Sequence, residues 1–144
     1  MIRRANVLDI EGMLALGYRA HARAQNYPPI DDLSCKRMAA MAVQSKQYIV
    51  LVDDVGGVIK GMIFGTTDRL AYSTARYATD VLFIAERPGS GIAMLRQFIE
   101  WAKKQNAWEI TCGNSAGDDP RMDNLYRRLG FTKIGGLFQM KGSS

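Results

Sequence analysis

The sequence predicts a single mixed α/β domain, and three observations carry that prediction. Apolar, β-rich runs recur at residues 48–52, 58–66 and 77–85, with the length of strands rather than helices. Two other stretches, near 10–26 and 91–105, repeat their apolar residues at helical spacing. Clusters of Asp, Gly and Pro punctuate the chain between them.

Taken in order, residues 2–6 read as a short strand leading to Asp9. Ile10, Met13, Leu14, Gly17, Tyr18 and His21 then mark one face of a helix. It is expected to fade near Asn26, because Tyr27-Pro28-Pro29 cannot continue it. Asp31 or Asp32 can cap a second helix, with Leu33, Met38, Met41 and Ala42 on its apolar side. Residues 48–52 (YIVLV) form a strand buried on both faces. Asp53-Asp54-Val55-Gly56-Gly57 is a turn that joins this strand to 58–66 as a hairpin. Residues 67–75 are polar and loop-like, and 77–85 form the next strand. The helix over 91–105 carries Ile92, Leu95, Phe98, Ile99 and Ala102 on its apolar side. A strand at 107–112 and a loop at 113–118 follow. Asp119 and Pro120 suit the cap and first position of a helix that Gly130 ends. Residues 131–141 are expected to be a last strand or a pair of short ones, bent at Gly135-Gly136. Trp101 and Trp108 read as packing residues.

A chain of 144 residues suits one domain. It can bury a core without disulfide or metal staples. Its 47% hydrophobic and 23% charged residues exclude a wholly disordered, collagenous or coiled-coil chain. The net charge of +5 favours an anionic partner, without separating nucleic acid from a phosphate-bearing cofactor. Arg121, Arg127, Arg128 and Lys133 offer basic charge, but there is no helix-turn-helix, zinc-finger or RNA-motif signature, so nucleic acid is not the expected partner. Cys35 and Cys112 lie far apart and His21 is the one histidine. This excludes a structural zinc site and points to reduced, buried thiols. The opening MIRRANVLDIEGML has no apolar signal-peptide region, and no run approaches the ~20 apolar residues of a membrane span. A soluble, cytoplasmic protein is expected.

The chemistry concentrates after strand 77–85, where Arg87-Pro88-Gly89-Ser90-Gly91-Ile92 opens a helix. Small residues let the chain turn tightly and a ligand approach the backbone. The first helical amides lack intrahelical acceptors and, with the helix dipole, favour an anion such as a pyrophosphate. Arg87 would add a cation at the rim. The segment is not a P-loop, because no Gly-Lys-Ser/Thr follows, and it is not GxGxxG. The second feature is Leu125-Tyr126-Arg127-Arg128-Leu129-Gly130-Phe131, a short helix closed by Gly and followed by an aromatic.

Together these features resemble the GNAT superfamily of acyl-CoA-dependent N-acyltransferases, over nearly the whole chain. The opening IRRANVLDI is similar to that family's first strand and its entry to helix one. Arg87 to Ile92 sit where the family has Arg/Gln-x-x-Gly-x-Gly/Ala, and 125–131 resemble its Phe/Leu-Tyr-x-Lys-x-Gly-Phe motif. Ser90 holds the family's first glycine position and Ile92 its Gly/Ala position. A Gly-Ser version of this turn resembles GNAT-like proteins of bacteriophages.

The resemblance implies a GNAT fold. That is one domain with a mixed, mostly antiparallel twisted sheet, about four flanking helices, and two parallel strands splayed at the centre. It implies acetyl-CoA as co-substrate, no metal, and direct transfer of an acetyl group to a primary amine. Backbone groups of Leu82, Phe83 and Ile84 would pair with the pantetheine arm. Gly89, Ser90, Gly91 and Ile92 would hold the pyrophosphate, with Arg87 beside them. Tyr126 would be the general acid, and Asp80 or Glu86 the base, with His21 and Tyr18 towards the acceptor. Implied partners are an amine, small or on a protein, and a second copy of the chain in a homodimer. The competing expectation is a GNAT-fold structural or interaction protein without catalysis, such as a phage virion component, for which the altered turn at Ser90 and Ile92 is the support.

Overall fold

The computed structural model describes residues 1–24, 27–113 and 119–142. They fall into two compact units, Met1–Gly113 and Asn114–Ser144.

The first unit is built on a five-stranded sheet in the order β1-β2-β3-β4-β5. Its strands are β1 (Ile2–Arg4), β2 (Tyr48–Val55), β3 (Val58–Arg69), β4 (Arg76–Ala85) and β5 (Ala107–Thr111). All neighbours are antiparallel except β4 and β5, which run parallel. After β1, Asn6 accepts from the Leu8 amide while the Asp9 carboxylate accepts from the Asn6 amide, closing a capping box. Helix α1 (Ile10–Arg23) follows, and the Asn26 boundary expected for it lies outside the described residues. Asp31 caps α2 (Asp32–Gln44) by accepting from the Ser34 amide at 3.0 Å. The β2–β3 hairpin turns on Gly56 and Gly57, at φ of 60° and 90°, and Asp54 accepts from the Gly57 amide at 2.8 Å. Two successive positive φ values are what a tight hairpin turn of this hand requires.

Alternation along β2 sends its side chains to two cores. Val50 and Val52 pack with Met13, Leu16, Ala42, Met62 and Phe64 under α1 and α2. Ile49, Leu51 and Ile63 lie on the other face, where α3 (Ser90–Lys104) buries Met94, Leu95, Phe98, Trp101 and Ala102. Burial on both faces matches the unbroken YIVLV run.

Several expectations are corrected. On α2, Leu33, Met38 and Met41 are exposed, and the helix packs through Ala39, Ala42 and Val43. The 67–75 loop begins later, because β3 runs on to Arg69. Thr67 is buried, with its hydroxyl donating to Tyr77 O and its amide to Gln47 O, so these polar residues belong to the ladder. On α3, Met94 and Trp101 are core while Ile92 and Ile99 are half-buried. Trp108 is exposed and so is Cys35, so neither is a packing residue. Among the described strands, the parallel pair β4 and β5 stands at one end of the order.

The second unit holds α4 (Pro120–Arg128), started by Asp119, which accepts from the Arg121 amide. Gly130 at φ 96° ends the helix. Residues 131–141 form no strand. Ile134, Leu137, Phe138 and Met140 are exposed there. Side-chain type makes a segment suitable for a sheet, but a strand exists only with a ladder partner.

Gly65 on β3 lies directly beneath the Phe98 ring. A Cβ there would stand 2.5 Å from Phe98 Cε1 and 3.1 Å from Ile49 Cγ2. Gly65→Ala is expected to lower stability by about 1–3 kcal/mol through overpacking, measured as a lower urea midpoint. Gly17→Ala, with nothing within 4 Å of its new Cβ, is the control that should not lose stability.

Candidate active site

At the end of β4 the chain leaves the sheet at Glu86, whose amide donates to Lys60 O at 2.9 Å. It then turns through Arg87, Pro88 and Gly89 into α3. Gly89 is the N-cap at φ 81°, which favours glycine. The Ser90 amide and hydroxyl both donate to Arg87 O, at 3.3 and 3.1 Å. The Ala93 amide bonds Gly89 O. Among the described residues no side chain caps the helix. The Gly91 and Ile92 amides, in the first turn, therefore have no i−4 acceptor and offer two donors to an anion. A Cβ on Gly91 would stand 3.3 Å from Phe83 Cζ and 3.5 Å from Ala85 Cβ, so glycine lets α3 sit close on β4.

β4 itself opens here. Its pairing with β5 covers Arg76 to Thr79 and stops. Its pairing with β3 steps from Phe64↔Leu82 to Gly65↔Asp80, leaving Val81 as a bulged extra residue. Because Glu86 bonds towards β3, two-residue alternation turns Ile84 and Leu82 the same way and aims the amides of Phe83 and Ala85 at the open edge. Of the three residues expected to present backbone there, Phe83 has that orientation.

Asp80 lies beside the bulge, half-buried, and accepts from the Gly113 amide at 3.2 Å. Burial pushes its carboxyl above the usual carboxylate range, against the opposing effect of the amide bond. The Cys112 thiol is pushed up strongly by burial and by the charge of Asp80, which makes it an inert thiol.

The neighbouring charges are paired. Arg87 donates to Asp53 through Nε (2.6 Å) and Nη2 (2.7 Å), a partner not foreseen for it. Glu86 is held by Arg19 (3.0 Å) and Arg23 (3.1 Å), and the bonds from Arg19 hold its carboxyl below the usual range. Arg19, Arg23, Lys60, Ala85 and Glu86 line an open cavity of about 480 Å³. His21 Nε2 contacts Pro28 O at 2.8 Å, and the Tyr18 hydroxyl donates to Asp32.

In the second unit, Tyr126 is buried on α4, edge-on to Phe131 with ring centroids 5.6 Å apart. The Phe131 amide donates to Tyr126 O at 3.0 Å. Of the four basic residues named from sequence, Arg121 pairs with Asp119 and Lys133 with Asp123. Among the described residues no cluster could hold a metal ion, and no helix is long and apolar enough to cross a membrane. Most of the expected 113–118 loop lies outside the described residues.

The overall fold recurs in solved structures. A predicted acetyltransferase of Clostridium acetobutylicum, solved with acetyl-CoA, superposes with TM-score 0.76 at 19% identity, covering 98% of this chain and 95% of that one. A GNAT family acetyltransferase of Staphylococcus aureus gives TM-score 0.68 at 18% identity, covering 98% and 97%. The chain has the GNAT fold. An aminoglycoside acetyltransferase from an uncultured soil metagenomic sample shares that fold with TM-score 0.73 at 16% identity, covering 100% and 95%. No protein-family model and no curated protein matches the sequence. The residue that sequence reading missed at this end of the GNAT sheet is Asp53, taken as part of a turn. The available signal was its parity with Ile49 and Leu51, which places it on the α3 face.

The raised carboxyl of Asp80 has a sign. Its protonated form is favoured in the folded state, so its contribution to stability falls as pH rises from the unfolded value of ~3.9 through the raised native one. Asp80→Asn, which keeps an acceptor for the Gly113 amide, is expected to melt higher than the native protein at pH 7. The gap should close near pH ~3.5, where both forms are neutral. Equal melting temperatures at both pH values would contradict a buried, destabilising charge.

Proposed function

We propose that the protein is an acetyl-CoA-dependent N-acetyltransferase that transfers the acetyl group directly to a primary amine. The observation that carries this reading is the coincidence of three features within twelve residues: the open edge of β4, the uncapped start of α3, and Asp80 beside the bulge. The residues fit such a co-substrate. The Gly91 and Ile92 amides suit a pyrophosphate, and the Phe83 and Ala85 amides suit the extended amide-bearing arm of pantetheine.

When bound, acetyl-CoA supplies an acyl group activated as a thioester. The chain must deprotonate an ammonium and return a proton to a thiolate. Asp80 is the better base. Its raised carboxyl takes a proton more readily than Glu86, which two arginines hold ionised. On the resemblance of 125–131 to the family motif, Tyr126 is the proton donor, its hydroxyl of pKa ~10 matched to a thiol of ~8.5. The acceptor is an amine on a small molecule or a protein.

A second reading, a GNAT-fold interaction protein without catalysis, including one that works in a virion assembly, is favoured by one observation. The Ser90 amide is already bonded to Arg87 O, so the turn has one donor fewer for a phosphate.

A melt with and without millimolar acetyl-CoA separates the two. Ligand at 100 times its dissociation constant adds ~2.7 kcal/mol, a rise of a few degrees. No rise would end the enzyme reading. In the active protein, Asp80→Asn should lower kcat by ~10²–10⁴-fold with little change in KM for acetyl-CoA, and Tyr126→Phe should lower kcat as well.

A further inference from the structure

We propose that Asp53 is a positioning residue for the phosphate-binding turn, acting through Arg87; this rests on the reading of that turn given above. The Asp53 side chain is wholly buried, on the α3 side of β2. A carboxylate out of water needs close, well-oriented donors. Arg87, thirty-four residues on, supplies two parallel bonds at 2.6 and 2.7 Å, the fork geometry that only arginine presents. The Met1 nitrogen also lies 3.3 Å from Oδ1.

The backbone of the same arginine holds the start of α3, because Arg87 O accepts both the Ser90 amide and its hydroxyl. The guanidinium, the turn and the first residue of α3 are therefore linked to one buried anchor in the sheet. The anchor has little play. Asp53 faces Gly61 across the ladder, where a Cβ would stand 3.3 Å from Asp53 Cβ and 2.9 Å from Met94 Cε. With its charge matched to Asp53, Arg87 acts less as a free cation for phosphate than as the strut that aims the Gly91 and Ile92 amides.

The test compares two acyl donors on the full chain. Asp53→Asn should weaken acetyl-CoA, read as kcat/KM, by about a hundredfold, the effect of a displacement of ~1 Å. S-acetyl-pantetheine, which lacks the pyrophosphate, should be used as well as by the native protein. A second variant, Asp53→Leu with Arg87→Met, replaces the ion pair by apolar groups that a buried site tolerates. It should stay folded and show the same donor-selective loss. An equal loss with both donors, or no loss with acetyl-CoA, overturns the proposal. The amide NMR shifts of Gly89, Gly91 and Ile92 in the ligand-free protein give a readout that needs no co-substrate. They should move in Asp53→Asn while that of Gly130 holds, and unmoved shifts overturn the positioning role. A native protein that ignores acetyl-CoA would instead end the functional reading and leave the NMR comparison to decide this one.

Discussion

β4 is bound along one side by β3 for its whole length but along the other by β5 for only four residues. Every backbone amide and carbonyl taken from water needs a partner. Among the described strands, the stretch from Asp80 to Ala85 has no ladder partner on that side, so its backbone groups there look for other partners. The Val81 bulge falls where the pairing changes, and bulges re-aim a strand in this way. β3 joins this half-free strand to β2, α1 and α2 pack on one face of the sheet, and α3 packs on the other through Met94 and Phe98.

Around that strand the carboxylates divide by environment. Asp53 and Glu86 are met by guanidinium groups, which hold both ionised. Asp80 is met by backbone amides and is desolvated, so its proton affinity rises. Divergence of this kind among neighbouring acids is how a fold separates structural charges from a group that takes up a proton more readily. The ion pairs also tie elements distant in sequence. Arg19 on α1 reaches both Glu86 and Ile59 O, and Arg87 reaches β2.

What the sequence made legible was local. The caps at Asp31 and Asp119, the Gly56-Gly57 turn, the YIVLV strand and the start of α3 each rest on neighbours within a few residues. What was not legible depends on partners far along the chain. Asp53 reads as a turn residue until Arg87 arrives to pair it. Thr67 reads as loop until Gln47 and Tyr77 take its bonds. Leu33, Met38 and Met41 satisfy the helical period, yet Ala39, Ala42 and Val43 form the narrower face that packs. The residue types of 131–141 suit a strand without naming a ladder for it. Of the candidate site, the turn and its helix were readable from small residues after a strand. The open edge followed from pairing that no single segment encodes.

The composition of the turn has a physical sense in this setting. A glycine is required where a side chain would strain the backbone or fill the space a ligand or neighbour needs. Here those demands fall on Gly89, which takes the positive φ, and on Gly91, which lies against Phe83 and Ala85. Ser90, between them, turns its hydroxyl back onto Arg87 O and is itself buried. Its side chain is thus directed into the turn. The small-residue requirement falls on either side of Ser90, and the Gly91 and Ile92 amides have no i−4 acceptor. The cost is one amide bonded internally, which places a greater share of any phosphate contact on the two that follow.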